Sequence, residues 1–291
     1  MSVEVGIGLA FVAMLCWGFG DFLIQRSTRK IGDWETLFAI CGFGSVVLLP
    51  FVWRDLPALI FGDTDTLLIL FAGALVLFIA ALLDFEALKR GKLAVVEPIW
   101  SFEIPTSALL ALLILKERIE VLQVVIIIAL VGGLILVSFK EKMSVKKFFI
   151  EKGVVLAFVA AFIMGSANLL YGWGARVSNP LVVNFFINVF VTLATSLYLV
   201  FQGRMRKMFH DLNSYRGILL PMAIFDNAAW VAFAFAMTLI PIAVAVALSE
   251  SYIIVAVILG LMVNHEKLQR HQRYGLGMAI VAAIALAAIT A

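Results

Sequence analysis

The chain has 291 residues, of which 64% are apolar and only 14% charged, against about 45–50% and about 25% in an average soluble domain. A water-soluble fold cannot hide that much apolar surface, and the short polar connections leave no room for a separate catalytic or nucleic-acid-binding domain. The net charge is a modest +3, so where the charges fall says more than their sum.

A bilayer-crossing helix needs ~20 predominantly apolar residues. Such windows cover 5–24, 36–53, 67–88, 93–115, 122–139, 153–174, 181–201, 217–239, 242–263 and 274–290. The alternating ten-residue pattern of outer-membrane barrel strands is absent. The predicted fold class is therefore an all-α integral membrane protein of ten transmembrane helices.

The first window has no basic stretch before it and no small-residue cleavage site after it, so it is read as a retained span; it carries Trp17 and Asp21. Cys16 and Cys41 fall inside windows one and two without C-x-x-C spacing. They are read as packing residues, and no metal or cofactor is expected. Window three ends with Asp84 and Glu86, close to Lys89, Arg90 and Lys92, where the acids are expected to reach the interface.

Window four is richer. On a continuous helix Trp100 lies midway between Glu97 and Glu103, so one face is predicted to carry acid, indole, acid. Pro98 suits a first turn, whereas Pro105 in the interior removes a hydrogen bond and is predicted to kink the helix near its middle. Window six places Asn168 and Tyr171 at i, i+3. Window seven places Asn184 and Asn188 at i, i+4, read as interhelical glue. Window eight brings Asp226, Asn227 and Trp230, and window nine Glu250.

A charged side chain at the bilayer centre costs about 2.5–3.5 kcal/mol on insertion scales, so intramembrane acids are functional candidates. No lysine or arginine lies deep in a window to neutralise these. Such acids must be protonated, line a wet cavity or meet a cation. Candidate substrate- or proton-binding residues are Trp17, Asp21, Glu97, Trp100, Glu103, Asn168, Tyr171, Asp226, Asn227, Trp230 and Glu250. They suggest a proton-coupled exchanger in which a carboxylate holds either a proton or the substrate.

Of the 22 Lys and Arg residues, 18 lie in the connections after windows 1, 3, 5, 7 and 9, leaving Arg54, Lys116, Arg118 and Arg176 on the other side. Basic loops stay cytoplasmic. Both termini are therefore predicted to be extracytoplasmic, in a multi-pass protein of the plasma (inner) membrane.

Sliding the chain along itself by 147 to 149 residues brings its halves into register. Gly18 and Asp21 overlie Gly165 and Asn168, Ala87-Leu88 overlies Ala236-Met237, and Lys116-Glu117-Arg118 overlies His265-Glu266-Lys267. Five spans per copy is an odd number, so the second copy must enter the membrane from the opposite face. The expected organisation is a first five-helix repeat at 1–139, a basic cytoplasmic linker at 140–152 and an inverted second repeat at 153–291. Such an architecture places a binding site near the midplane between the copies and permits alternating access.

Trp17-Gly18, Ala87-Leu88, Pro98, Lys116-Glu117-Arg118 and Gly132-Gly133-Leu134, echoed by Gly165, Ala236-Met237, Glu266-Lys267 and Gly275-x-Gly277, resemble two repeats of the EamA type in the drug/metabolite transporter superfamily. The resemblance spans nearly the whole chain. It implies two inverted five-helix bundles around a central cavity lined mainly by spans 1, 3, 4, 6, 8 and 9. It also implies export of small metabolites, amino acids or drugs without ATP hydrolysis. The chain departs from the pattern in lacking a proline within span 9 and in its number of membrane acids.

An intramembrane enzyme lacks its reagents. His210, His265 and His271 fall in loops, and His265-Glu266-Lys267-Leu268-Gln269 has Gln where a zinc-protease helix needs its second His. No G-x-S-x-G elbow, P-loop or dinucleotide G-x-G-x-x-G occurs. A flippase for a lipid-linked head group is the alternative within membranes, and it would show a lateral opening between helices. The expected partners are a small-molecule substrate and the lipid bilayer, with no nucleic acid. Small residues along several spans suit packing within one chain or between two, so a homodimer fits the pattern.

Overall fold

The structure, a computed structural model, describes residues 2–90, 99–138, 154–263 and 268–291. Glu97, Pro98, the 140–152 linker and the His265-Glu266-Lys267 turn lie outside the described residues. The rest is helical: α1 Val3–Ile31, α2 Asp33–Val52, α3 Leu56–Phe61, α4 Thr64–Arg90, α5 Glu103–Ile114, α6 Val121–Ser138, α7 Val154–Val177, α8 Pro180–Phe201, α9 Met205–Ser214, α10 Arg216–Leu239, α11 Ile242–Ser249, α12 Tyr252–Val263 and α13 Arg270–Thr290.

Eight of these (α1, α2, α4, α6, α7, α8, α10 and α13) are long and apolar enough to cross a membrane. They match eight of the ten predicted windows; the other two are interrupted by a turn, window four where a kink was expected and window nine where none was. In window four a turn at Ser101 and Phe102 precedes α5. Pro105 accounts for it: the ring has no N–H to give and crowds the carbonyl four residues back, which belongs to Ser101. The break therefore falls a turn before the proline, and the predicted acid, indole, acid face is interrupted between Trp100 and Glu103. In window nine a turn at Glu250 and Ser251 separates α11 from α12. The Ser249 hydroxyl donates to the Ala245 carbonyl at 2.7 Å and that of Ser251 to Ala247 at 2.8 Å, a back-bonding that loosens a helix without any proline.

Two segments expected as polar connections are also helical. α3 has Pro57 at its start, a position where the missing N–H costs nothing. In α9 only Met208 and Asp211, at i, i+3, are buried, the mark of a helix lying on a surface.

The long helices pack in antiparallel pairs drawn one from each half. In α1 and α10, Trp17 meets Trp230 and Phe19 meets Phe225. In α4 and α7, Gly73 lies against Leu170 and Gly174 against Leu70. α2 and α8 are pinned at one end by the Glu35–Arg204 ion pair and touch midway, where the Ser45 and Thr192 hydroxyls stand 3.5 Å apart, 147 residues apart in sequence. That separation is the repeat offset, so the same position of each half meets its counterpart.

α6 and α13 repeat the pattern reciprocally. The side-chain carbonyl of Gln123 accepts the Glu120 amide at 3.0 Å while its amide reaches Thr290 at the far end of α13. Gln272 likewise accepts the Gln269 amide at 3.0 Å and donates to the Val137 carbonyl at the far end of α6. The pair closes to backbone contact: a Cβ on Gly133 would meet the Ala279 nitrogen at 2.7 Å, and one on Gly275 would meet the Val137 nitrogen at 2.7 Å. Small residues permit such approach where lipid offers no hydrophobic drive. The broken spans obey the same exchange, with Gly165 of α7 against Thr106 of α5 and Gly18 of α1 against Val255 of α12. Both termini lie on one face, since Gly6 abuts Leu239 and Ile240 and Thr290 meets Gln123.

Candidate functional site

Because α1 and α10 run antiparallel, residues one turn apart on each form two layers. The first is aromatic. Trp17 meets Trp230 edge-on with ring centroids 5.1 Å apart and Phe233 also at 5.1 Å; Tyr171 of α7 adds an edge to Trp230 at 4.9 Å. The Tyr171 hydroxyl lies 2.6 Å from Asn184 Oδ1 and 2.9 Å from the Trp230 carbonyl, its single proton serving these acceptors. Asn184 in turn donates to the Pro180 carbonyl at 2.7 Å. Trp17, Tyr171 and Phe233 are buried, so the layer is a rigid wall.

The second layer is acidic. Asp21, four residues after Trp17, interacts electrostatically with Asp226, four residues before Trp230, whose indole stands beside the Asp226 carboxylate. Glu103 opens α5 just after its break, and Glu250 closes α11 at the other. Glu103 interacts with Glu250, Asp84 and Asp21, and Glu250 with Asp21 and Asp84. Five carboxylates from α1, α4, α5, α10 and the α11–α12 turn thus converge. Among the described residues, every charged group within electrostatic reach of Glu103, Asp226 and Glu250 is another acid. The ion pairs Arg204–Glu35 and Arg176–Glu117 sit at helix ends.

Packing holds this set in place. The Ser107 hydroxyl lies 2.8 Å from the Glu103 carbonyl and 3.0 Å from that of Gly165, tying α5 to α7. Asn168, one turn further along α7, is buried and its Nδ2 has no hydrogen-bond partner among the described residues.

Asn227 faces the other way from Asp226, its neighbour. Its amide donates to the Ile40 carbonyl at 3.0 Å and the Ala223 carbonyl at 2.9 Å, while its Oδ1 accepts from Asn188 at 3.0 Å. It therefore joins α2, α8 and α10 and has no amide hydrogen left for a ligand. Trp100 stands beside Asp84.

Three features escaped the residue-by-residue reading. Asp84, expected at the interface, is the last residue of the membrane-length part of α4 and also lies within electrostatic reach of Glu103 and Glu250. Phe233 completes the aromatic wall. The breaks at Ser101-Phe102 and Glu250-Ser251 are 149 residues apart, the offset of Ala87 and Ala236, so the two acids flank the same break in the two halves, Glu103 just after it and Glu250 within it.

Helices that cross a membrane many times, in two sequence repeats with acids gathered between them, define a multi-pass membrane protein of transporter type. The chain belongs to the EamA-like transporter family, which matches residues 4–139 and again 151–288, and with it to the drug/metabolite transporter superfamily. A solved protein crystal structure superposes with a TM-score of 0.72, covering 98% of this chain and 95% of its own, at 15% identity; that likeness shows the fold alone. No curated protein matches the chain in sequence.

Proposed function

We propose that this chain is a secondary transporter of the plasma membrane that exports a small organic metabolite, amino acid or drug by alternating access, coupled to protons through its membrane carboxylates. Ten spans form two inverted repeats, 1–139 and 153–291, around a central site, with both termini extracytoplasmic. The antiparallel pairing of equivalent helices supports the inversion, and 18 basic residues placed opposite the termini support the orientation.

The observation that carries the reading is that Glu103, Asp226 and Glu250 have, among the described residues, only acids as charged neighbours, Asp21 being common to all three. Glu103 and Glu250 lie at equivalent breaks in the two halves, and a broken helix at membrane depth is tolerated where it is buried in protein or lines a site rather than lipid. A carboxylate there holds a proton in one step and yields it to the substrate in the next.

The test is flux in liposomes holding the purified protein and a pH-sensitive dye, challenged with pools of amino acids, sugars and organic cations. A substrate-dependent pH change in wild type that disappears in Glu103→Gln is the expected result. Flux of any pool with no proton movement would refute the coupling.

A further inference from the structure

At the face that bears both termini, one polar cluster joins the two repeats. α5 ends at Ile114, and Lys116 adopts a left-handed conformation with φ of +53°, a costly choice for a residue with a side chain. It turns the chain so that the Glu117 amide donates back to the Ala111 carbonyl at 3.2 Å. The Glu117 carboxylate then reaches into the second repeat and accepts the Ile242 amide at 3.0 and 3.2 Å, at the start of α11. Arg176, at the end of α7, pairs with the same carboxylate. Its Nε donates to the Met237 carbonyl at 2.7 Å and its Nη2 to Ile240 at 3.1 Å, closing the C-terminus of α10.

The position of this cluster gives it leverage. Glu103 begins α5 and Glu117 follows its end; Ile242 begins α11 and Glu250 follows its end. The two half-helices whose inner ends carry Glu103 and Glu250 are therefore fastened to each other at one face, and Arg176 fastens α7 and α10 to the same point. Resting on the alternating-access reading above, we propose that the Glu117–Arg176 clamp is a latch: closed it holds the termini-bearing face shut over the acid site, and it parts whenever that face opens. It differs from an ordinary ion pair, since Glu117 must accept a backbone N–H while Arg176 must donate to two backbone carbonyls.

The test is sidedness of thiol labelling. In a chain with Cys16→Ala and Cys41→Ala, Glu250→Cys is the reporter, treated with a membrane-impermeant maleimide in sealed vesicles of each orientation and read by mass spectrometry of the peptide bearing residue 250. Glu117→Gln and Arg176→Gln are expected to raise labelling from the termini-bearing face by roughly tenfold, the population shift from losing a charge-assisted hydrogen bond, and to lower it from the opposite face. The double exchange Glu117→Arg with Arg176→Glu is expected to behave like the single variants, because Arg cannot accept the Ile242 amide; a simple ion pair would be restored.

Equal rises from both faces, as a lost fold would give, or restoration by the double exchange would overturn the latch. Labelling from the opposite face alone, in parent and variants alike, would overturn the latch while leaving a water-reached acid site standing. No labelling from either face would overturn both.

Discussion

Gly44 of α2 offers the sharpest test of the packing beneath the site. A Cβ there would lie 2.0 Å from Asn227 Oδ1 and 2.5 Å from Asn188 Nδ2, so Gly44→Ala must displace both side chains. Their mutual 3.0 Å bond breaks, and the Asn227 bond to the Ile40 carbonyl with it. Each interhelical bond in a membrane is worth about 0.6 kcal/mol on average, and overpacking a close interior adds about 1–3 kcal/mol. Against this, Ala gains about 0.5–1 kcal/mol over Gly in a helix.

The net expectation is about 2–3 kcal/mol of destabilisation, or a melting point lower by roughly 5–10 °C by soluble-domain scaling. Gly8→Ala is the matched control, because a Cβ there meets nothing within 4 Å; it keeps the helix-propensity gain without the collision. The assay is thermal unfolding in detergent for wild type and both variants. Equal melting of Gly44→Ala and Gly8→Ala would refute the asparagine network as described.

The Glu35–Arg204 pair predicts an asymmetry. Glu35 is 1% exposed and Arg204 38%, so Arg204→Gln strands a buried carboxylate and should cost about 1–3 kcal/mol, less than the ~3–5 of a fully buried pair because water screens the arginine. Adding Glu35→Gln to that variant should recover part of the loss in the same melting assay; further destabilisation would contradict the pairing. Tyr171→Phe removes the hydroxyl from Asn184 Oδ1 and the Trp230 carbonyl, and should cost about 1–2 kcal/mol while leaving the aromatic wall stacked. Its intrinsic Trp fluorescence should therefore stay at the wild-type wavelength, and a large red shift would show that the wall depends on the hydrogen bond.

Eight long spans could be read directly from the sequence because an apolar run of bilayer length seldom occurs outside a membrane helix. Spans four and nine were harder. Pro105 announced a disruption, but the carbonyl it displaces lies a turn earlier, and Ser249 and Ser251 loosen span nine with no proline to mark it. The pairing of Trp17 with Trp230 and of Asp21 with Asp226 depends on α1 and α10 running antiparallel in contact, which periodicity within one span cannot express. The approach of Asp84 to Glu103 and Glu250 was not legible, because a place near the end of one helix does not tell which other helices come close to it. Asn227 is the converse case: side by side with Asp226 in sequence, it points to α2 and α8 because neighbours on a helix face different ways.

The central claim is that a membrane carboxylate exchanges its proton for substrate, and proton release on binding measures that step without any flux. Purified protein in weakly buffered detergent with a pH dye would be mixed with the substrate pool active in liposomes, comparing wild type with Glu103→Gln and Glu250→Gln. Release in wild type, lost or reduced in both variants, is the predicted result. Substrate binding that releases no proton from wild type, or the same number from all three proteins, would contradict it.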